Sequence, residues 1–128
     1  MESFAEGKLY AIRYEERSGY LYAYVQGRED SMEVSMAYWA EIISCCRGKN
    51  ISKLLVEEDF ETDNTLFDTY ELIISGAELK IHDIKIAFVD RHPDQTKTNL
   101  FGENVAHNVG LWGKCFSNVK EAEEWLLS

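Results

Sequence analysis

Glu57, Glu58, Asp59, Glu61 and Asp63 crowd five carboxylates into one short stretch, a density that can hold a cation, move protons or meet a basic surface. Asp59, Glu61 and Asp63 have the 1, 3, 5 spacing of a calcium loop. However, Asn64 stands where that loop needs its turn glycine, and Tyr70 where it needs the closing bidentate glutamate. The pattern therefore predicts a solvated acidic loop that recognises a protein partner, to which a basic surface is the complement, and no metal. Glu103 and His107 are four apart, compatible with a shared ligand, but no second histidine lies at helical spacing, so a hydrogen-bonded or exposed pair is expected. Cys115 beside Phe116 reads as a buried thiol, and Cys45, Cys46 and Cys115 offer neither a disulfide framework nor a CxxC zinc spacing. Ser18-Gly19 and Ser75-Gly76 lack the context of a hydrolase elbow, and the chain has no glycine-rich phosphate loop. Neither a cofactor nor a catalytic residue is predicted.

The elements that must position these groups follow from periodicity. Residues 9–15 and 20–25 flank a polar turn and read as a β-hairpin. In its second strand Tyr20, Tyr22 and Tyr24 alternate with Leu21, Ala23 and Val25. The aliphatic side suits a core under helices. The tyrosine side is left half exposed or covered by a partner; a ladder at strand spacing reads first as ordinary cross-strand packing, with a homodimer face as the alternative. A helix follows, capped by Asp30 or Ser31, with Met36, Trp39, Ala40 and Ile43 as its core stripe and Gly48 as its stop. Residues 51–56 form the next strand, so the acidic loop lies at the carboxyl edge of the sheet, where open α/β folds place ligands. Asn64 or Thr65 caps a second helix whose apolar face is Leu66, Phe67, Tyr70, Ile73, Ile74 and Ala77. A buried strand ending at Asp90, a loop containing Pro93 and a third helix over residues 99–108 come next. A short strand at 112–116 precedes a last helix capped by Ser117 or Asn118, with Ala122, Trp125 and Leu126 facing inward.

The order β-β-α-β-α-β-α-β-α predicts one α/β domain over residues 1–128 with a mixed, mostly parallel sheet. With 128 residues and 45% hydrophobic content, such a domain buries roughly two-thirds of its unfolded surface. Twenty-three acids against thirteen bases leave a net charge of −10, which repels nucleic acid and anionic membranes. No apolar run approaches the ~20 residues of a membrane span, and residues 1–8 do not read as a signal peptide. The expectation is a cytoplasmic protein.

This element order, with Phe101-Gly102-Glu103-Asn104-Val105-Ala106-His107-Asn108 and the ending from Gly113-Lys114-Cys115-Phe116 to Trp125-Leu126, resembles the stand-alone bacterial STAS or SpoIIAA-like proteins. The resemblance covers nearly the whole chain and is most specific in the final third. It implies helices packed mainly on one side of the sheet, and a role in protein interaction or regulation instead of catalysis. In the anti-sigma-factor antagonists of that family, a serine in a D-S-x-G stretch at the start of the second helix is phosphorylated. The matching residues 59–66 contain neither serine nor glycine, and only Thr62 and Thr65 could stand in, Thr65 being the better placed. A phosphate there would sit among carboxylates, each pair ~6 Å apart costing about 0.7 kcal/mol even at water-like dielectric. Asp90 at a strand end also resembles the phosphoaspartate pocket of receiver domains, but those begin with alternating β and α elements and this chain begins with a hairpin.

The functional expectation is thus a non-enzymatic interaction or regulatory module of STAS-like type whose protein partner the sequence does not name. Its alternative is a small-molecule or lipid-binding domain using an apolar gap between sheet and helices.

Overall fold

The computed structural model describes residues 9–62, 66–78, 81–92 and 96–128. Nine elements follow in the expected order: β1 (Tyr10–Arg17), β2 (Tyr20–Glu29), α1 (Met32–Gly48), β3 (Lys53–Thr62), α2 (Leu66–Glu78), β4 (Lys85–Asp90), α3 (Thr96–Asn108), β5 (Gly113–Phe116) and α4 (Val119–Leu126). The strands form one sheet in the order β1-β2-β3-β4-β5. β1 and β2 pair antiparallel with Arg17 opposite Tyr20, and every later pair is parallel. Arg17 opposite Tyr20 leaves Ser18-Gly19 as a two-residue hairpin loop, and Gly19 adopts the positive φ of 89° that such loops demand.

Chain order and spatial order coincide from β2 to β5, so each crossover steps the same way across the sheet. Crossovers of one hand stepping one way all pass over the same face. That face carries α1, α2 and α3, whose side chains meet Ile86 and Phe88 from above. The opposite face is left to α4, where Ala122 and Leu126 are wholly buried against Leu55, Ala87 and Val89.

Two α1 features differ from the sequence reading. The helix is capped by Ser31, whose Oγ accepts from the Val34 amide at 3.2 Å, while Asp30 turns inward instead. Its buried stripe is Val34, Tyr38, Ile42 and Cys46, not Met36, Trp39, Ala40 and Ile43. α1 is apolar on two adjoining faces, and periodicity alone cannot tell which one meets the sheet. Trp39 and Ile43 are half-buried toward α2, whereas Met36 and Ala40 are exposed. The helix ends at Gly48, and Asn50 takes the left-handed conformation at φ 55°.

Tyr70, assigned to the apolar face of α2, is exposed. Of the other residues on that face, Ile73 and Ile74 are half-buried, and the side chains of Leu66, Phe67 and Ala77 lie outside the description. In α4, Asn118 is the cap, its Oδ1 accepting from the Glu121 amide at 2.9 Å. Among the described residues no helix is long and apolar enough to cross a membrane.

Candidate functional site at the carboxyl edge of the sheet

The acidic stretch is not a loop. β3 runs six residues past Val56 to Thr62, its backbone paired with β2 as far as Glu29 opposite Thr62. Phe60 explains the extension. Leu54, Val56, Glu58 and Phe60 share the face under α1, and Phe60 is wholly buried with its ring stacked 5.7 Å from that of Tyr38. Alternation then separates the acids. Glu57 and Asp59 point to the tyrosine face, Glu58 points under α1, and Glu61 lies exposed near the strand end. The expectation that Glu58 joins a solvated surface is corrected: it is 2% exposed, and the Tyr38 hydroxyl donates to its carboxylate. Asp63 and Thr65 lie outside the described residues, and Thr62 is exposed at the end of β3.

The tyrosine face is covered from within the chain. Tyr20, Tyr22 and Tyr24 are only 4%, 5% and 8% exposed. Their hydroxyls donate to Glu123 of α4, Glu57 and Asp59 respectively. On β1, Arg17 lies 4.1 Å over the Tyr22 ring and Arg13 4.8 Å over that of Tyr24. A second chain reaching these rings would have to displace α4 and both arginines. Burial, and then the Glu57 hydrogen bond, push the Tyr22 phenol up to about 12, so it serves as a donor at neutral pH.

Two residues after β4 complete the edge. The Arg91 amide continues the ladder to the Glu58 carbonyl at 3.0 Å, which turns the guanidinium over the acids of the neighbouring strand. Its Nε lies 3.3 Å from Glu57, its Nη1 3.9 Å from Asp59, and Nη1 donates to the Tyr24 hydroxyl at 3.1 Å. His92 Nε2 is 2.7 Å from the other Asp59 oxygen. Arg91 is half exposed, Glu57 nearly covered, and Asp59 and His92 lie between. The result is a fixed lattice of alternating charge at the rim of a cleft that Asn99, Leu100, Phe116, Ser117 and Asn118 continue. The Asp90 carboxylate accepts from the His92 amide and from Asn99 Nδ2, at 2.8 and 2.9 Å, and so organises the β4–α3 connection.

Burial pushes the Asp59 carboxyl up, but hydrogen bonds from Tyr24 and His92 and the nearby positive charges outweigh it, leaving it below its ordinary 3.8. A carboxyl depressed by folding stabilises fully above its ordinary value, and that contribution disappears as pH falls through the folded value. Below pH 3.8 the wild type should therefore lose stability more steeply than Asp59→Asn. Urea midpoints measured from neutral pH downward check this, and parallel curves would remove Asp59 from the acid response.

Of the other chemical candidates, Cys115 also lines this cleft. Burial raises the Cys115 thiol to about 12, with Glu103, Asp90 and Glu58 adding to it, and its Sγ donates to the Asn99 carbonyl at 3.4 Å. All three cysteines are free thiols. Glu103 accepts from the Cys115 amide at 3.3 Å, while His107 is exposed. No group of three His, Cys, Asp or Glu side chains converges as a metal site among the described residues.

The sequence reading missed Arg91 and His92 as site residues, together with the buried pair Asp30 and Glu58. Phe60, at strand spacing from Val56, was the available signal for β3's length and hence for the sorting of its acids. Nothing local reveals that Arg91 reaches the Tyr24 hydroxyl of β2, 67 positions away, or that His92 reaches Asp59 of β3, 33 positions away.

Under the long helices lies a cavity of about 460 Å³. Trp39 and Ile43 of α1, Leu72 and Ile73 of α2, Ala106 of α3 and Phe88 of the sheet supply its apolar wall.

No family model and no curated protein matches the chain. Solved structures do. An uncharacterised protein of the DUF3478 family from Shewanella loihica, described as having a SpoIIAA-like fold, aligns with TM-score 0.55 at 17% identity over 98% of each chain. The Bacillus cell fate determinant SpoIIAA, in its phosphorylated form, aligns with TM-score 0.50 at 13% identity over 90% of this chain and 98% of its own. A hairpin-initiated five-stranded mixed sheet with three helices on one face and a last helix on the other is, in this chain, a SpoIIAA-like fold.

Proposed function

We propose that the chain is a non-enzymatic interaction module of STAS-like type, read by a protein partner at the carboxyl edge of β3 and β4. The observation that carries this reading is the lattice of Glu57, Asp59, Arg91 and His92, anchored by tyrosine hydroxyls. It holds charges in fixed places, as recognition requires, and pairs them with each other instead of aiming an acid and a base at a reacting atom. The SpoIIAA-like fold supports a regulatory or interaction role, and the charge of −10 favours a basic partner. The candidate phosphoacceptors are Thr62, which ends β3 next to Glu61, and Thr65, which lies outside the described residues.

Glu61→Gln with Asp63→Asn leaves the residues of the lattice unchanged and should spare folding. Against a captured and identified basic partner, the pair should weaken binding about five- to tenfold at low salt, mainly through association rate, with the difference shrinking at high salt. Equal affinities for wild type and variant, measured by surface plasmon resonance, would rule out recognition through these acids.

A further inference from the structure

We propose that the cavity beneath α1, α2 and α3 binds a small apolar molecule bearing a cationic head, of the primary alkylamine class. Its volume, about 460 Å³, falls within the range of pockets that enclose small ligands. The apolar wall offers water few of the several polar partners an ordered water needs.

The carboxylates of the cavity gather toward one end. Cys115 sits opposite Phe88, and Glu58 sits opposite Asp90, at the carboxyl ends of these strands. Glu58, Asp30, Glu103 and Asn99 line this part of the cavity, whereas Ile81, Leu111 and Trp112 line the part beside the strand starts. Asp30 and Glu58 are 4% and 2% exposed, with hydroxyl donors from Ser35 and Tyr38 respectively. Among the described lining residues Lys114 is the one base, and its ammonium lies 5.6 Å over the Phe116 ring, which packs on the opposite face of the sheet.

The electrostatic consequence is visible at two separate groups. After burial, Glu58 and Asp30 further raise the Tyr38 phenol, and Glu103, Asp90 and Glu58 further raise the Cys115 thiol. A ligand carboxylate there would meet the same repulsion that opposes a phenolate or thiolate, whereas an ammonium head reverses it. Met36 and Trp112, which also line the cavity, are 45% and 51% exposed.

Three probes of one tail length separate tail from head: decylamine, 1-decanol and decanoate, titrated into the intact protein with tryptophan fluorescence as readout, since Trp39 and Trp112 line the site. Decylamine should bind about tenfold more tightly than decanol, and decanoate most weakly. Glu103→Gln should reduce the preference for the amine and leave decanol binding unchanged. Leu72→Trp, which fills the cavity, should abolish saturable binding of all three while circular dichroism shows the fold retained. This variant keeps the protein's negative charge and so exposes any amine adsorbed on the surface. Decanoate binding as tightly as decylamine would overturn the cationic assignment. Absence of saturable binding by every probe, or full binding by folded Leu72→Trp, would overturn the cavity as the site.

Discussion

Phe60→Ala should cost about 3–5 kcal/mol, a loss that brings a domain of this size close to unfolding. The ring is wholly buried, stacked on Tyr38 and shared with Tyr10, Val34 and the β2 core. It also presses on Gly27, where an added Cβ would lie 2.5 Å from Phe60 Cε1 and 2.8 Å from the Leu9 carbonyl oxygen. Deleting the ring therefore leaves a void that the backbone of β2 is poorly placed to fill. It also removes the apolar anchor of the acidic half of β3, next to Glu58. The variant should show a lowered urea midpoint, and loss of the Glu57 and Asp59 hydrogen bonds should make Tyr22 and Tyr24 more reactive toward nitration. A change below about 1 kcal/mol would mean that β3 does not hold its last residues in the sheet in solution.

Leu126→Ala should be nearly as damaging, at about 2–5 kcal/mol, whereas Leu127→Ala should cost little. Leu126 is wholly buried at the end of α4, and its neighbour Leu127 is 44% exposed, its Cδ2 lying 2.9 Å from where a Cβ on Gly19 would sit. α4 is short, and an isolated helix of eight residues has no stability of its own. What keeps it on the sheet is Ala122 and Leu126, the Tyr20–Glu123 hydrogen bond and Lys85, whose ammonium reaches the Trp125 carbonyl at 2.8 Å. Leu126→Asp, which also buries an unpaired charge, should release the helix and expose the tyrosine layer. Tyrosine nitration and sedimentation velocity read these two effects separately. If α4 is the cover in solution, Tyr20, Tyr22 and Tyr24 of the wild type resist nitration at any protein concentration. Protection that appears only as concentration rises would instead mean that a second chain supplies the cover.

The order of elements was legible because each carries its own local signal. The alternation Tyr20 to Val25, the caps Ser31 and Asn118, the stop at Gly48 and the aliphatic run before Asp90 depend on neighbours only a few positions away. The parallel pairing after the hairpin followed as well, since alternating strands and helices imply right-handed crossovers between parallel neighbours. The acids of the candidate site were visible as a cluster, and their number was enough to direct attention to the carboxyl edge of the sheet.

Tertiary structure decided how those acids are used. Periodicity states that Glu57, Glu58 and Asp59 alternate only if they are in a strand, and the pairing of β3 with β2 is what keeps them there. Once paired, neighbouring residues part company: Glu57 and Asp59 join Arg91 and His92 at the surface, while Glu58 goes under Tyr38. The cover of the tyrosines was equally beyond local reasoning. A half-apolar face demands some partner, but only the return of the chain end across the far side of the sheet shows that α4 fills that place. Chain-local periodicity thus determined which elements exist and in what order. Contacts between residues far apart in sequence decided which carboxylates meet solvent, because burial and pairing are properties of the assembled sheet and not of any one strand.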